Sequence, residues 1–134
     1  MIRFTIPVRP RTKKNHGQLV TLKNGRQMML PSKSYKEFEK EVLNFIKAHP
    51  ELKLHIDEPI NLECHFYKDK NYKSDLVGYL QAIQDALVKA EVLVDDNTNI
   101  VATTDGSFVE LDRNNPRVVV RITYYSEVKY EKVS

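Results

Sequence analysis

From Ile60 to Tyr67 the chain alternates strictly, with Ile60, Leu62, Cys64 and Phe66 set against Asn61, Glu63, His65 and Tyr67. A period of two is that of a strand with one apolar and one polar face. The period then changes. Leu76, Leu80, Ile83 and Leu87 recur at helical spacing, and Ser74 or Asp75 provides the side-chain oxygen that commonly starts a helix. A strand that feeds directly into a helix points to an α/β architecture, and the rest of the pattern agrees with it.

Ile2, Phe4, Ile6 and Val8 alternate as a first strand, ended by Pro7 and Pro10. Residues 19–22 and 27–30 flank Asn24-Gly25, a hairpin signal because both turn residues tolerate positive φ. Tyr35, Phe38, Val42, Leu43, Phe45 and Ile46 form the apolar stripe of a helix that Pro50 stops; Ser34 and Glu37 have the spacing of a capping box at its start. The second helix is expected to run from Asp75 to about Val88, with Leu76, Leu80, Ile83 and Leu87 as its buried face. Gly78, Ala82 and Ala86 form a stripe of small residues on another face. Residues 100–104, 108–111 and 118–124 read as further strands, with a turn over 112–116. The expected fold is a single α/β domain over 1–134: a mixed β-sheet, two main α-helices and an N-terminal hairpin, with 127–134 a loose tail.

At 134 residues the chain can bury one real core. No apolar run approaches a membrane span and no signal-peptide core is evident, so a cytoplasmic location is expected. The single cysteine, Cys64, sits in the alternating strand and reads as a buried structural thiol. Charge is unevenly spread. Nine basic residues and no acidic one precede Glu37, whereas 12 basic and 18 acidic residues follow from there. A basic arm joined to an acidic remainder suits a protein that grips phosphate in one place and a cation in another; the alternative is a lopsided solubilising surface.

The acids that matter are Asp75 at the helix start and Asp95-Asp96-Asn97 beyond its end. Carboxylates hold hard cations such as Mg²⁺, which takes only a few protein ligands. Phosphodiester hydrolysis needs an activated water and relief of charge on the leaving oxygen, both of which bound metal supplies. The competing reading is an ordinary N-cap and a polar turn, which spacing alone favours. A helix from Asp75 to Val88 is about 20 Å long. The residues from Lys89 to Asp95 span about 23 Å if extended. The chain can therefore just bring Asp96 back to Asp75; otherwise the two meet across a subunit interface.

These motifs resemble the RusA family of Holliday junction resolvases, small phage- or prophage-encoded endodeoxyribonucleases. That family opens a helix with Asp-Leu-Asp-Asn-Leu, places Asp-Ala-Leu ten residues after the first Asp, and follows with an Asp-Asp pair. The chain matches without gaps at Asp75-Leu76, Asp85-Ala86-Leu87 and Asp95-Asp96. Pro10-x-x-Lys13-Lys14-Asn15 and Pro31-Ser32-Lys33-x-Tyr35 also resemble phage members, so the similarity covers nearly the whole chain. The resemblance implies a RusA-like fold and a cytoplasmic homodimer in a bacterial host. It implies symmetric cleavage of four-way and other branched DNA, with Mg²⁺ as cofactor and Mn²⁺ able to substitute. It assigns Asp75 and Asp96, with Asp95 beside the second, as catalytic and metal-binding residues.

Two positions depart from the pattern. Val77 replaces the family's second Asp, with Gly78 in place of the Asn, and Gln81 replaces its lysine. Either another acid (Asp95, Glu63 or Asp69) compensates, or the protein is a catalytically impaired junction binder of phage recombination or regulation. Val77 is expected to turn into apolar surroundings, and Asp85, about 15 Å from Asp75, to be a structural or interface residue. Lys13, Lys14, Asn15, Lys33, Lys70 and Lys73 are the candidate DNA-backbone contacts. Phosphate contacts position a substrate without reading its bases, which suits recognition of branch shape. The Gly78/Ala82/Ala86 stripe is either a dimer contact or is covered by the chain itself. No zinc-ligand spacing, phosphate-cradling glycine loop or nucleophile elbow is present.

Overall fold

The structure, a computed structural model, describes residues 1–12, 18–30, 33–71 and 73–128. Lys13, Lys14, Asn15 and the tail beyond Val128 lie outside the described residues. In chain order the elements are β1 (Ile2–Ile6), β2 (Gln18–Thr21), β3 (Gln27–Leu30), α1 (Lys33–Ala48), β4 (Ile60–Lys68), α2 (Leu76–Lys89), β5 (Val101–Thr103), β6 (Phe108–Leu111) and β7 (Arg117–Tyr124). The fold is mixed α/β, as the periodicities predict: a five-stranded mixed sheet, two main helices and a separate β2–β3 hairpin.

β4 is the centre of the sheet. It pairs antiparallel with β7 along nearly its whole length, and β1 adds antiparallel to the far side of β7. On its other side two short parallel strands share the edge: β5 beside Ile60 and Asn61, β6 beside His65 to Lys68. The gap between them is filled by a side chain, since the Cys64 N–H donates to Ser107 Oγ at 3.0 Å. Parallel neighbours need a crossover connection, and α2 supplies it between β4 and β5.

The alternation sorts the two faces of the sheet. Ile60, Leu62, Cys64 and Phe66 join Phe4, Ile6, Val118, Val120 and Ile122 in one core beneath both helices. Each fully buried Leu, Ile, Val or Phe contributes roughly 1.5–3 kcal/mol. α1 buries Tyr35, Phe38, Val42 and Ile46 of its expected stripe, whereas Leu43 and Phe45 are only partly covered. On α2 the burial differs from expectation. Tyr79, Ala82, Ile83, Ala86 and Leu87 are buried, whereas Leu76 and Leu80 are only partly covered. Small side chains on this face let α2 sit close to its neighbours.

Two local expectations need correction. Ser34 is not an N-cap, because α1 already begins at Lys33 and Ser34 lies within its first turn. The hairpin connection is three residues long. Leu22 N–H donates to the Arg26 carbonyl at 2.7 Å and Gly25 N–H to the Leu22 carbonyl at 2.9 Å. Only Gly25, at φ 82°, is left-handed; Asn24 instead accepts the Arg26 N–H through Oδ1. A turn followed by a left-handed glycine is the pattern of three-residue hairpins.

Candidate active site

Asp75 stands at the end of the molecule where β4 finishes. It is the N-cap of α2, with extended backbone (φ −100°, ψ 140°), and its carbonyl accepts the Gly78 and Tyr79 N–H groups. Its carboxylate makes no capping hydrogen bond and the residue is exposed. An N-cap Asp ordinarily spends its side chain on the first-turn amides. Here it is left for other chemistry.

The N-terminal segment is packed against this turn. A Cβ on Gly78 would sit 3.1 Å from both Cβ and Cγ2 of Thr12, a buried residue, so Gly78 lets Thr12 pack more closely on this turn than a side chain there would. Three residues earlier, Arg9 Nε donates to Asp69 Oδ2 at 2.9 Å in the loop after β4. Lys70 and Lys73 are exposed on that same loop, and Lys33 is exposed at the start of α1. Neither Thr12 nor the Arg9–Asp69 pair stands out in the sequence, because each partner is some sixty residues away.

Asp95 and Asp96 stand at the opposite end. Ala90 caps α2, and Glu91 follows in the left-handed region at φ 67°. The Glu91 N–H donates to the Val88 carbonyl at 3.0 Å and the Val92 N–H to the Leu87 carbonyl at 2.9 Å. This pair of bonds is the Schellman ending that glycine usually provides. Buried Val92 and Leu93 then hold the chain there, and Val94 N–H donates to the Ile56 carbonyl at 3.0 Å, close to where β4 begins. Within the exposed loop, Asp95 Oδ1 accepts the Asp96 N–H at 2.7 Å and Oδ2 accepts Asn97 Nδ2–H at 3.1 Å. Asn97 in turn accepts the Asn99 N–H at 2.9 Å. Asp95 and Asn97 build the turn, which leaves Asp96 as the outward acid.

The return path therefore does not run back along the helix. Leu93 N–H still bonds the Leu87 carbonyl at 3.3 Å. From Asp75 to Leu87 is about 18 Å of helix, and Asp96 lies only about 10 Å of chain beyond Leu93. The Ile60 N–H also donates to the Ile100 carbonyl at 2.7 Å, so the loop ends beside the start of β4. Asp75 and Asp96 thus belong to opposite ends of the β4–α2 unit. Among the described residues, no three His, Cys, Asp or Glu side chains gather where a metal ion could sit. The donors are right for a hard cation, but one chain presents them separately.

The family model for endodeoxyribonuclease RusA matches residues 7–123 of the 134. The chain belongs to the RusA family. No curated protein sequence matches it.

Several acids of this RusA-family chain have other work. Glu63, on the outward face of β4, accepts Arg121 Nη1–H at 2.9 Å and also contacts His65 Nε2. Asp69 holds Arg9. Both carry a cationic partner, which weakens them as substitutes for the missing second aspartate. Asp85 accepts the Tyr35 hydroxyl at 2.9 Å and so ties α2 to α1, the structural role expected of it. Burial, followed by the bond to Asp85, pushes the Tyr35 phenol well above its ordinary range. Val77 is not turned inward as expected; it is 58% exposed, because the inward positions of the first turn go to Gly78 and Tyr79. Gln81 is exposed as well. The Gly78/Ala82/Ala86 stripe is fully used within the chain, so it offers nothing to a second copy. Cys64 is completely buried and its thiol is pushed up by burial, which excludes it as a nucleophile. Among the described residues no helix is long and apolar enough to cross a membrane.

Proposed function

We propose that the protein is a divalent-metal-dependent endodeoxyribonuclease that acts as a homodimer on four-way and other branched DNA. Each of its two sites takes Asp75 from one subunit and Asp96 from the other. The observation that carries this reading is the placement of the two acids at opposite ends of α2 in a RusA-family chain. A two-fold axis across α2 sets two copies of the helix antiparallel, so the start of each meets the end of the other, twice over. The outward side of α2 suits such a contact. Val77 and Val94, each beside one of the acids, are 58% and 49% exposed, and Leu80 and Val88 are only partly covered.

Mg²⁺ or Mn²⁺, when bound, supplies activation of water and stabilisation of the leaving oxygen. The chain's own residues do the rest. Asp75 and Asp96 present oxygens that no capping or turn bond consumes. Asp95 stiffens the loop that carries Asp96. Lys13, Lys14, Asn15, Lys33, Lys70 and Lys73 are proposed to contact DNA phosphates and hold the branch against the two sites.

The test is a synthetic four-way junction incubated with Mg²⁺ or Mn²⁺. Paired symmetric nicks are expected from wild type, and Asp75→Asn or Asp96→Asn should each abolish cleavage while retaining binding. Sedimentation should give twice the 15.6 kDa chain mass. Equal inertness of wild type and both variants would defeat the enzymatic reading. The exposed Val77 favours a second possibility, a junction-binding protein without catalysis. Calorimetric detection of carboxylate-dependent metal uptake would count against that alternative.

A further inference from the structure

We propose that Arg9 is a DNA-phosphate contact oriented by Asp69, placed beside the helix start that carries Asp75. The proposal rests on the DNA-acting reading above and adds to it a binding residue and a positioning residue.

Asp69 is nine-tenths buried and Arg9 is half exposed, so the pair spans the surface. One carboxylate oxygen takes the Arg9 Nε–H; the other is buried and unpartnered among the described residues. Burying a carboxylate with half its acceptors unused is a poor way to gain stability. It is a good way to aim a guanidinium. With Nε committed to Asp69, the four Nη donors remain on a side chain half open to solvent, in the fork that matches a phosphate.

The position of this fork follows from its neighbours. Thr12 is seated on Gly78 in the first turn of α2, and Arg9 is three residues, at most about 10 Å of chain, from it. Arg9 also lines a groove of about 350 Å³ with Arg11, Ser34, Glu37 and Glu41. The two glutamates on α1 make the groove itself a poor anion pocket. A phosphate therefore meets Arg9 at its solvent-exposed edge rather than inside the groove. An anion-binding fork next to a carboxylate lets a DNA strand approach an otherwise repulsive acid.

Arg9→Ala alone leaves Asp69 buried without its cation and risks the fold, so the decisive variant removes both charges. Arg9→Ala/Asp69→Ala is compared with wild type and with Arg9→Lys for binding to a four-way junction and to a linear duplex, without divalent metal, across a salt series. Thermal melts confirm that each variant is folded. The double variant is expected to bind both DNAs several-fold more weakly and more or less equally so, with the slope of log affinity against log salt reduced by about one phosphate. Arg9→Lys should recover the slope but only part of the affinity, since an ammonium cannot fork between Asp69 and a phosphate. A folded double variant with wild-type affinity and slope overturns the proposal and leaves the nuclease reading intact. Wild type that binds DNA through Arg9 yet never cuts a junction defeats the nuclease reading and leaves this one.

Discussion

The two ends of α2 carry acids of the same chemistry and use them differently. At its start, Asp75 caps the helix with its backbone and keeps its carboxylate out of any capping bond. Beyond its end, Asp95 spends both carboxylate oxygens on the loop, and Asp96 is the acid the loop displays. Between them, Asp85 is committed to Tyr35 and holds the helices together. An aspartate in a motif is thus defined by which of its oxygens the local fold has already consumed.

The largest effect is expected when the two acids are separated onto different chains. Asp75→Asn and Asp96→Asn proteins should each be inactive alone. When they are mixed and allowed to exchange, about half of the proposed dimers would pair unlike subunits and contain one intact site. Recovery of single-strand nicking is therefore expected in the mixture. No recovery, with exchange shown by a mass-tagged subunit, would mean that both acids act from one chain.

A smaller effect probes the middle of the helix. Tyr35→Phe removes a partly buried hydroxyl bond and should cost about 1–1.5 kcal/mol by urea denaturation, with junction cleavage unchanged. It should also change the alkaline response. The folded state holds the Tyr35 proton more tightly than the unfolded chain does, so this contribution is complete below the unfolded phenol pKa of about 10 and is lost as pH rises above it. Wild type should lose stability above that pH more steeply than Tyr35→Phe, and parallel curves would contradict the assignment.

The ends themselves should respond unequally. Asp95→Ala strips two hydrogen bonds from its loop and should destabilise the protein by about 1 kcal/mol. Asp75→Ala, which loses no capping bond, should stay within about 0.5 kcal/mol of wild type, below the usual N-cap penalty of about 1 kcal/mol. Equal losses in denaturation would show that the Asp75 side chain is a cap after all.

The smallest change sharpens the helix end. Glu91→Gly relieves a left-handed residue that bears a side chain and gives up only an exposed contact with Lys53. A gain of up to about 1 kcal/mol in thermal stability is expected, offset in part by the freer unfolded chain. A loss would mean that the Lys53–Glu91 pair outweighs the strain.

By itself the sequence determined the local structure. Period-two and period-three-to-four patterns are properties of neighbouring residues, so β4, the apolar stripe of α1 and the helix opening at Asp75 were all legible. So was the order of the acids that carries the resemblance to the RusA family. The tertiary structure decided what those residues are worth. The available chain length left open whether Asp96 could fold back to Asp75; hydrogen bonds from Val92 and Leu93 to Leu87 hold it at the far end of the helix. The small stripe on α2 could have been a dimer contact until Thr12 came to rest on Gly78. Asp69 and Glu63 were plausible metal ligands until Arg9 and Arg121 were found beside them. For the stripe and for these two acids the deciding partner is distant along the chain, and short-range periodicity carries no information about which distant residue will arrive.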